Sequence, residues 1–354
     1  MSEPASRAAA WSTHPWVEQG RGRIRFGAGV STAAPLPDWP TRLALVRGLE
    51  ALGYDSHWFP DHPAYNADCW TTLAALAVST SRIRLGPLVA CVGYRSPAML
   101  ARQAADVDRL SGGRLILGLG AGFLAGEYAY LGLPLPPPAE RTRQLAETVE
   151  VVHGLWGIAP GAAEPPDESY REPFLSLPGP SPLAYRGVHY RLDGGLLRHG
   201  PVQRPRIPLL IAGGGERTTL RQVARYADAS NFGPIASAGG ADDADAVRRK
   251  LDVLRRHCDD LGRPYDSVLP THFMNPVVLA ETAAALEAKR AALPPVYHAL
   301  QQGLYATPEG AVAFYRPLVG AGLRYFIPQL ATYDDLETAR LLAEQVFPAL
   351  MSRT

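Results

Sequence analysis

From Ile24 onward one phrase recurs along the chain: a short apolar run, a turn, then a helix whose apolar residues fall every third or fourth position. The run 24–30 (IRFGAGV) reads as a first strand ending in small residues. Leu43, Val46, Leu49 and Leu52 then recur at a spacing of three, which predicts a helix from about Pro40 that Gly53 stops. The second strand, 55–62 (DSHWFPDH), ends in polar residues, and a helix over 70–79 leads to a third strand at 83–90 (IRLGPLVA). A helix from Pro97 carries Leu100, Ala104, Val107 and Leu110 and closes at Gly112 and Gly113. The fourth strand is 114–122 (RLILGLGAG) and the fourth helix 141–156. After an interruption the phrase resumes with strands at 207–214, 228–233, 271–280 and 324–330, each followed by helical sequence. A helix over about 242–261 follows the second of these, and the stretch after the third is irregular near Pro294 and Pro295. Thr307 reads as an N-cap, with Pro308 at the first helical position and Glu309 adding charge to the first turn; the last helix is 336–350.

Strands that alternate with helices pair in parallel, and eight such phrases predict a closed (β/α)8 TIM barrel. The alternative is an open doubly wound sheet, which calls for a dinucleotide-binding fingerprint. The chain has 354 residues, within reach of one barrel domain, assigned here to 23–354. Residues 1–22 read as a flexible N-terminal extension, without the basic start and apolar run of a signal peptide. Residues 158–206 are rich in Pro, Gly and Ser, with a short hairpin expected at 185–192. So long an irregular insertion in a barrel is expected to be a functional loop or lid.

Composition narrows the partners. Hydrophobic residues make up 47% and charged residues 19%, with a net charge of +1, which gives no general attraction to nucleic acid or an acidic membrane. No run approaches the roughly 20 apolar residues that span a bilayer. Cys69, Cys91 and Cys258 are far apart and lack metal-type spacing, so reduced thiols in a cytoplasm, and no metal, are expected.

Reacting groups in such barrels lie where strands end. Strand two ends in Asp61-His62: a histidine there can exchange a proton near neutral pH, and an adjacent carboxylate can set its tautomer. The same pair could simply be a polar turn at the rim. Gly118, Gly120 and Gly122 space as G-x-G-x-G, without the G-x-G-x-x-G turn or an immediate helix, and suit a strand end where a backbone or flat ring comes close. Gly213, Gly214 and Gly215 end a strand and open a helix, with Arg217 beside them. That is either an anion site or a plain glycine-rich connection. Tyr94-Arg95 could meet an anionic ligand or belong to a surface loop.

The stretches ALGYDSHWFPDH, WTTLAALAVSTSRIRLGPLVACVGYRSPAMLARQAADVDRLSGGRLILGLGAG and AGGGERTTLRQVARYADASNF resemble, in order and spacing, the luciferase-like monooxygenase superfamily and its F420-dependent oxidoreductase branch. The resemblance runs from about Ile24 to Leu350. It implies a deazaflavin F420 ring, or alternatively FMN, against a bulge in strand three, with a non-prolyl cis peptide at Leu88-Val89. Leu88, Val89, Ala90, Tyr94, Gly122 and Phe123 would then be cofactor-binding. Gly213, Gly214, Gly215, Glu216 and Arg217, with Thr218, would hold the phosphate, and Asp61 and His62 would be catalytic. The F420-dependent sugar-phosphate dehydrogenases carry a glutamate where this chain has Phe123, which argues against that substrate class; Glu127, four residues on, receives no acid–base role. The resemblance further implies hydride transfer to or from a small organic molecule, by reduction of C=C or C=N or the reverse, in a homodimer. An FMN enzyme would instead use oxygen and a separate flavin reductase.

Overall fold

The structure is a computed structural model and describes residues 12–157, 183–299 and 302–352. Its strands are β1 (Arg25–Val30), β2 (Ser56–Phe59), β3 (Arg84–Pro87), β4 (Ala90–Cys91), β5 (Leu117–Gly120), β6 (Leu183–Arg186), β7 (Arg191–Gly195), β8 (Leu209–Ala212), β9 (Ala229–Phe232), β10 (Leu269–Leu279), β11 (Leu304–Ala306) and β12 (Tyr325–Leu330). Hydrogen bonding runs in the order β3-β2-β1-β12-β10-β9-β8-β5-β4. A parallel bridge between Leu85 and Leu115 brings β3 round to the strand that ends in β5 and closes the ring. β3 and β4 are two halves of the expected third strand, so the barrel has eight staves, as the eight phrases predict. β11 adds to β10 outside the ring.

The apolar pattern divides in the way a barrel requires. Trp58, Ile116, Leu210, Ala229, Leu269, Tyr325 and Ile327 fill the inside, while a larger cluster packs the strands against the surrounding helices. Local signals place the helices: Asp38 caps Trp39–Ala51 by accepting from the Thr41 N–H, and Thr307 caps Pro308–Gly320 in the same way. Two elements lie outside the expected phrase, a six-residue helix at Ala125–Tyr130 and strand β11. The last helix is also not continuous, because a π turn at Leu342–Val346 separates Leu336–Leu341 from Phe347–Met351.

The hairpin expected at 185–192 is β6 and β7, paired antiparallel; the earlier part of the insertion, 158–182, lies outside the described residues. Glu147 anchors the hairpin turn to helix Pro138–Leu155, its carboxylate accepting the N–H groups of Val188, His189 and Tyr190 at 2.9–3.0 Å.

Part of the N-terminal extension, expected to be loose, is a built element. Pro15–Glu18 forms a turn of helix with Trp16 and Val17 buried against the barrel interior. The Trp16 indole N–H donates to Asp55, which also accepts from the Tyr325 hydroxyl at 2.6 Å. The Trp16 and Tyr325 rings meet edge to face, and the Arg25 guanidinium lies over both. A large aromatic side chain thus closes the end of the barrel opposite the strand C-termini. Among the described residues, no helix is long and apolar enough to cross a membrane, and no group of His, Cys, Asp or Glu could hold a metal ion. The three cysteines are buried and unpaired.

Candidate active site

The C-terminal strand ends gather the predicted residues from both sides of the split third strand. A non-prolyl cis peptide joins Leu88 and Val89 between β3 and β4, at the position the resemblance implies. The bulge fits because strand four is glycine where they meet: a Cβ on Gly118 would lie 2.2 Å from the Pro87 carbonyl oxygen, and one on Gly120 2.5 Å from a Val89 methyl. The backbone that those glycines admit therefore belongs to the neighbouring strand. Leu88 and Val89 pack on the inner apolar cluster and stay partly exposed. The Ala90 side chain is wholly buried in the strand–helix core, so only its backbone faces the mouth as a possible cofactor contact. Phe123, at 52% exposure, stands at the rim.

His62 follows β2 with its side chain about a quarter exposed. Its partner is Glu127, from the short helix after β5: Nδ1 lies 3.0 and 3.1 Å from the two carboxylate oxygens. The Glu127 side chain is entirely buried and also accepts the Tyr94 hydroxyl at 2.6 Å. Burial, and then the bond to Glu127, push the Tyr94 phenol well above its ordinary range, so it keeps its proton and donates. Tyr94 packs edge to face on Tyr128, whose hydroxyl reaches the Cys91 thiol at 3.5 Å.

Asp61 faces Arg95 and not its sequence neighbour His62. Its carboxylate is gripped by both ends of the Arg95 guanidinium, at 2.5 and 2.9 Å, and accepts the Cys91 N–H. Burial works to discharge Arg95, and the Asp61 carboxylate outweighs it and holds the guanidinium above its ordinary value. Asp61 thus ties strand two to strand three in a buried bidentate pair, and the carboxylate on His62 is Glu127, 65 residues away in sequence. The one signal for it is a glutamate in a run of small and apolar residues, AGEYAY, directly after a strand end. Arg95, read as a possible anion contact, is committed to Asp61.

Across the mouth, Gly213 adopts φ +117° and a Cβ on Gly214 would stand 2.6 Å from Gly239 Cα, so two loops press together there. The backbone N–H groups of Gly214 to Thr218 find no partner among the described residues, just before helix Thr219–Tyr226. Arg217 is exposed beside them. Glu216 instead pairs with the buried Lys250, at 3.0 Å, and with Arg249; its bond to Lys250 holds its carboxyl below the usual range. Its side chain is therefore part of the loop's scaffold, while free amides and a cation make the concavity suited to an anion.

Comparison with known proteins identifies the family and the fold. A family model described as luciferase-like monooxygenase matches residues 22–307. A 4-hydroxyprotoasukamycin monooxygenase of Streptomyces nodosus subsp. asukaensis is 36% identical over 145 residues, 38% of this chain and 38% of its own length. An F420-dependent glucose-6-phosphate dehydrogenase of Amycolatopsis mediterranei is 26% identical over 335 residues, covering 85% of this chain and 91% of its own. Among solved structures, the F420-dependent tetrahydromethanopterin reductase of Methanopyrus kandleri superposes with a TM-score of 0.72 at 18% identity, over 93% of this chain and 99% of that one.

Proposed function

We propose that this chain, which belongs to the luciferase-like monooxygenase family, is an oxidoreductase that moves a hydride between F420 and a small organic substrate, reducing C=C or C=N or running the reverse. The observation that carries the reading is His62: one ring nitrogen is engaged by a buried carboxylate and the other, Nε2, has no protein partner among the described residues. A side chain so arranged can give or take one proton at Nε2.

The residues fit a flat ring with a phosphate-bearing tail. Leu88 and Val89 make a partly exposed apolar shelf, and the N–H groups from Gly214 to Thr218, without a partner among the described residues, suit a phosphate together with Arg217. Bound there, F420 would supply the hydride chemistry; the protein contributes orientation, an apolar surface and the His62 proton. Support for F420 comes from the relative matched over most of the chain, which is F420-dependent. Phe123 in place of a strand-end glutamate argues against carrying over that relative's sugar phosphate. The 36% identity to a monooxygenase favours a second reading, in which FMN occupies the same shelf and loop and oxygen is consumed, with a flavin reductase as partner. In either case we propose a homodimer in the cytoplasm.

The test is to titrate purified protein with F420 and, separately, with FMN, following ligand fluorescence. Micromolar binding of F420 without FMN is the expected result. FMN binding alone would replace hydride transfer with oxygen chemistry as the leading function, and binding of neither would overturn both.

A further inference from the structure

We infer that Glu127 and Tyr94 are positioning residues that hold neutral His62 in a single tautomer, with its proton on Nδ1 and Nε2 left as the atom that exchanges a proton with substrate. The inference rests on the proposed proton role of His62, and it starts from the hydrogen-bonding inventory of the cluster.

A polar group wholly removed from water persists where it is hydrogen-bonded. Glu127 has two neighbours that can supply hydrogens, the Tyr94 hydroxyl at 2.6 Å and His62 Nδ1 at 3.0 Å. Tyr94 holds its proton, so one carboxylate oxygen accepts from the phenol. A bare Nδ1 would then set its lone pair against a carboxylate oxygen, whereas an Nδ1–H satisfies both atoms. Neutral imidazole in water favours the other tautomer, with the proton on Nε2, so the pocket has to impose this one. Asp61 cannot take part, because Arg95 and the Cys91 N–H occupy its carboxylate. Tyr94 fixes the rotation of the Glu127 carboxylate, and its own ring is held by the edge-to-face contact with Tyr128.

An isosteric change separates the roles. In Glu127→Gln the Tyr94 phenol donates to the amide oxygen in the place of Oε2, which sets the amide NH2 in the place of Oε1, 3.1 Å from His62 Nδ1, and favours a bare Nδ1. Long-range 1H–15N spectra of histidine-labelled protein, recorded without cofactor at a pH where the ring is neutral, report the tautomer directly; His62→Ala identifies the resonance among the nine histidines. We expect mostly Nδ1–H in the wild type, inversion to mostly Nε2–H in Glu127→Gln, and recovery of Nδ1–H when Tyr94→Phe is added and frees the amide to rotate. Nε2–H in the wild type, or a tautomer indifferent to Glu127→Gln, would overturn the role of Glu127; no recovery in the double variant would overturn that of Tyr94. Because no cofactor is present, failure of F420 to bind leaves this result standing, and a wrong tautomer leaves the cofactor reading standing.

Discussion

At the floor of the barrel, Trp16, Tyr325, Asp55 and Ser56 close on one another through hydrogen bonds and ring contacts. At the mouth, His62 keeps one ring nitrogen without a partner among the described residues, and the five consecutive backbone N–H groups from Gly214 to Thr218 find none there either. Both ends use aromatic and acidic side chains. The difference lies in how these groups are used: at the floor they bond to one another, with Nε and Nη2 of Arg25 lacking a partner among the described residues, and at the mouth a run of polar atoms is open, which we read as the side that takes a ligand.

The largest effect should come from the floor. Trp16→Ala removes a side chain 1% exposed and should lower stability to urea by about 3–5 kcal/mol, the range for buried aromatic truncations, while cofactor affinity in the folded protein stays near the wild-type value. A stable variant that lost affinity would erase the division between the two ends. Next, Arg217→Ala at the mouth should leave the urea midpoint unchanged and weaken cofactor binding up to about fivefold, matching about 0.2–1 kcal/mol for an exposed ion pair. An unchanged affinity would move the phosphate elsewhere. The smallest effect concerns His14, whose ring accepts the Trp16 N–H and contacts the Arg206 carbonyl oxygen. Burial depresses its pKa below 6.5, so the unfolded chain takes up the proton first. The stability it contributes is complete above 6.5 and is lost as pH falls below that value. Amide exchange at Val17 and Gln19, corrected for intrinsic rate, should therefore quicken between pH 7.5 and 5.5 more than at Val223 and Ala224 on the outer layer; equal responses would count against a pH-sensitive floor.

The barrel was legible because its signal is repeated: eight apolar runs, each with a helix whose spacing or capping residue is written locally, as at Asp38 and Thr307. The strand-to-helix glycine run 213–215 was also legible, since it lies within one short stretch, whereas the cis peptide at Leu88-Val89 came only from the family resemblance. The partner of His62 was not. Asp61 is its neighbour in sequence, but successive residues at a strand end point different ways, and Asp61 turns to Arg95 while His62 turns to Glu127. That second contact exists only once the ring is closed and the short helix Ala125–Tyr130, which has no side-chain cap, folds back beside β2. The floor was missed for a related reason. The polar sequence around Trp16 has too short an apolar run to read as an element, and only the open end of a finished barrel gives that tryptophan somewhere to go.

The split third strand also bears on how this protein could be recombined with its relatives. The Pro87–Val89 bulge occupies space that exists only because Gly118 and Gly120 lack side chains, so the two segments behave as one inherited part. A chimera with a crossover between 90 and 117 would pair one parent's bulge with the other's receiving strand. Crossovers before Ile83 or after Gly122 keep lock and key from the same parent, and those are the boundaries at which the mouth of this barrel can be exchanged.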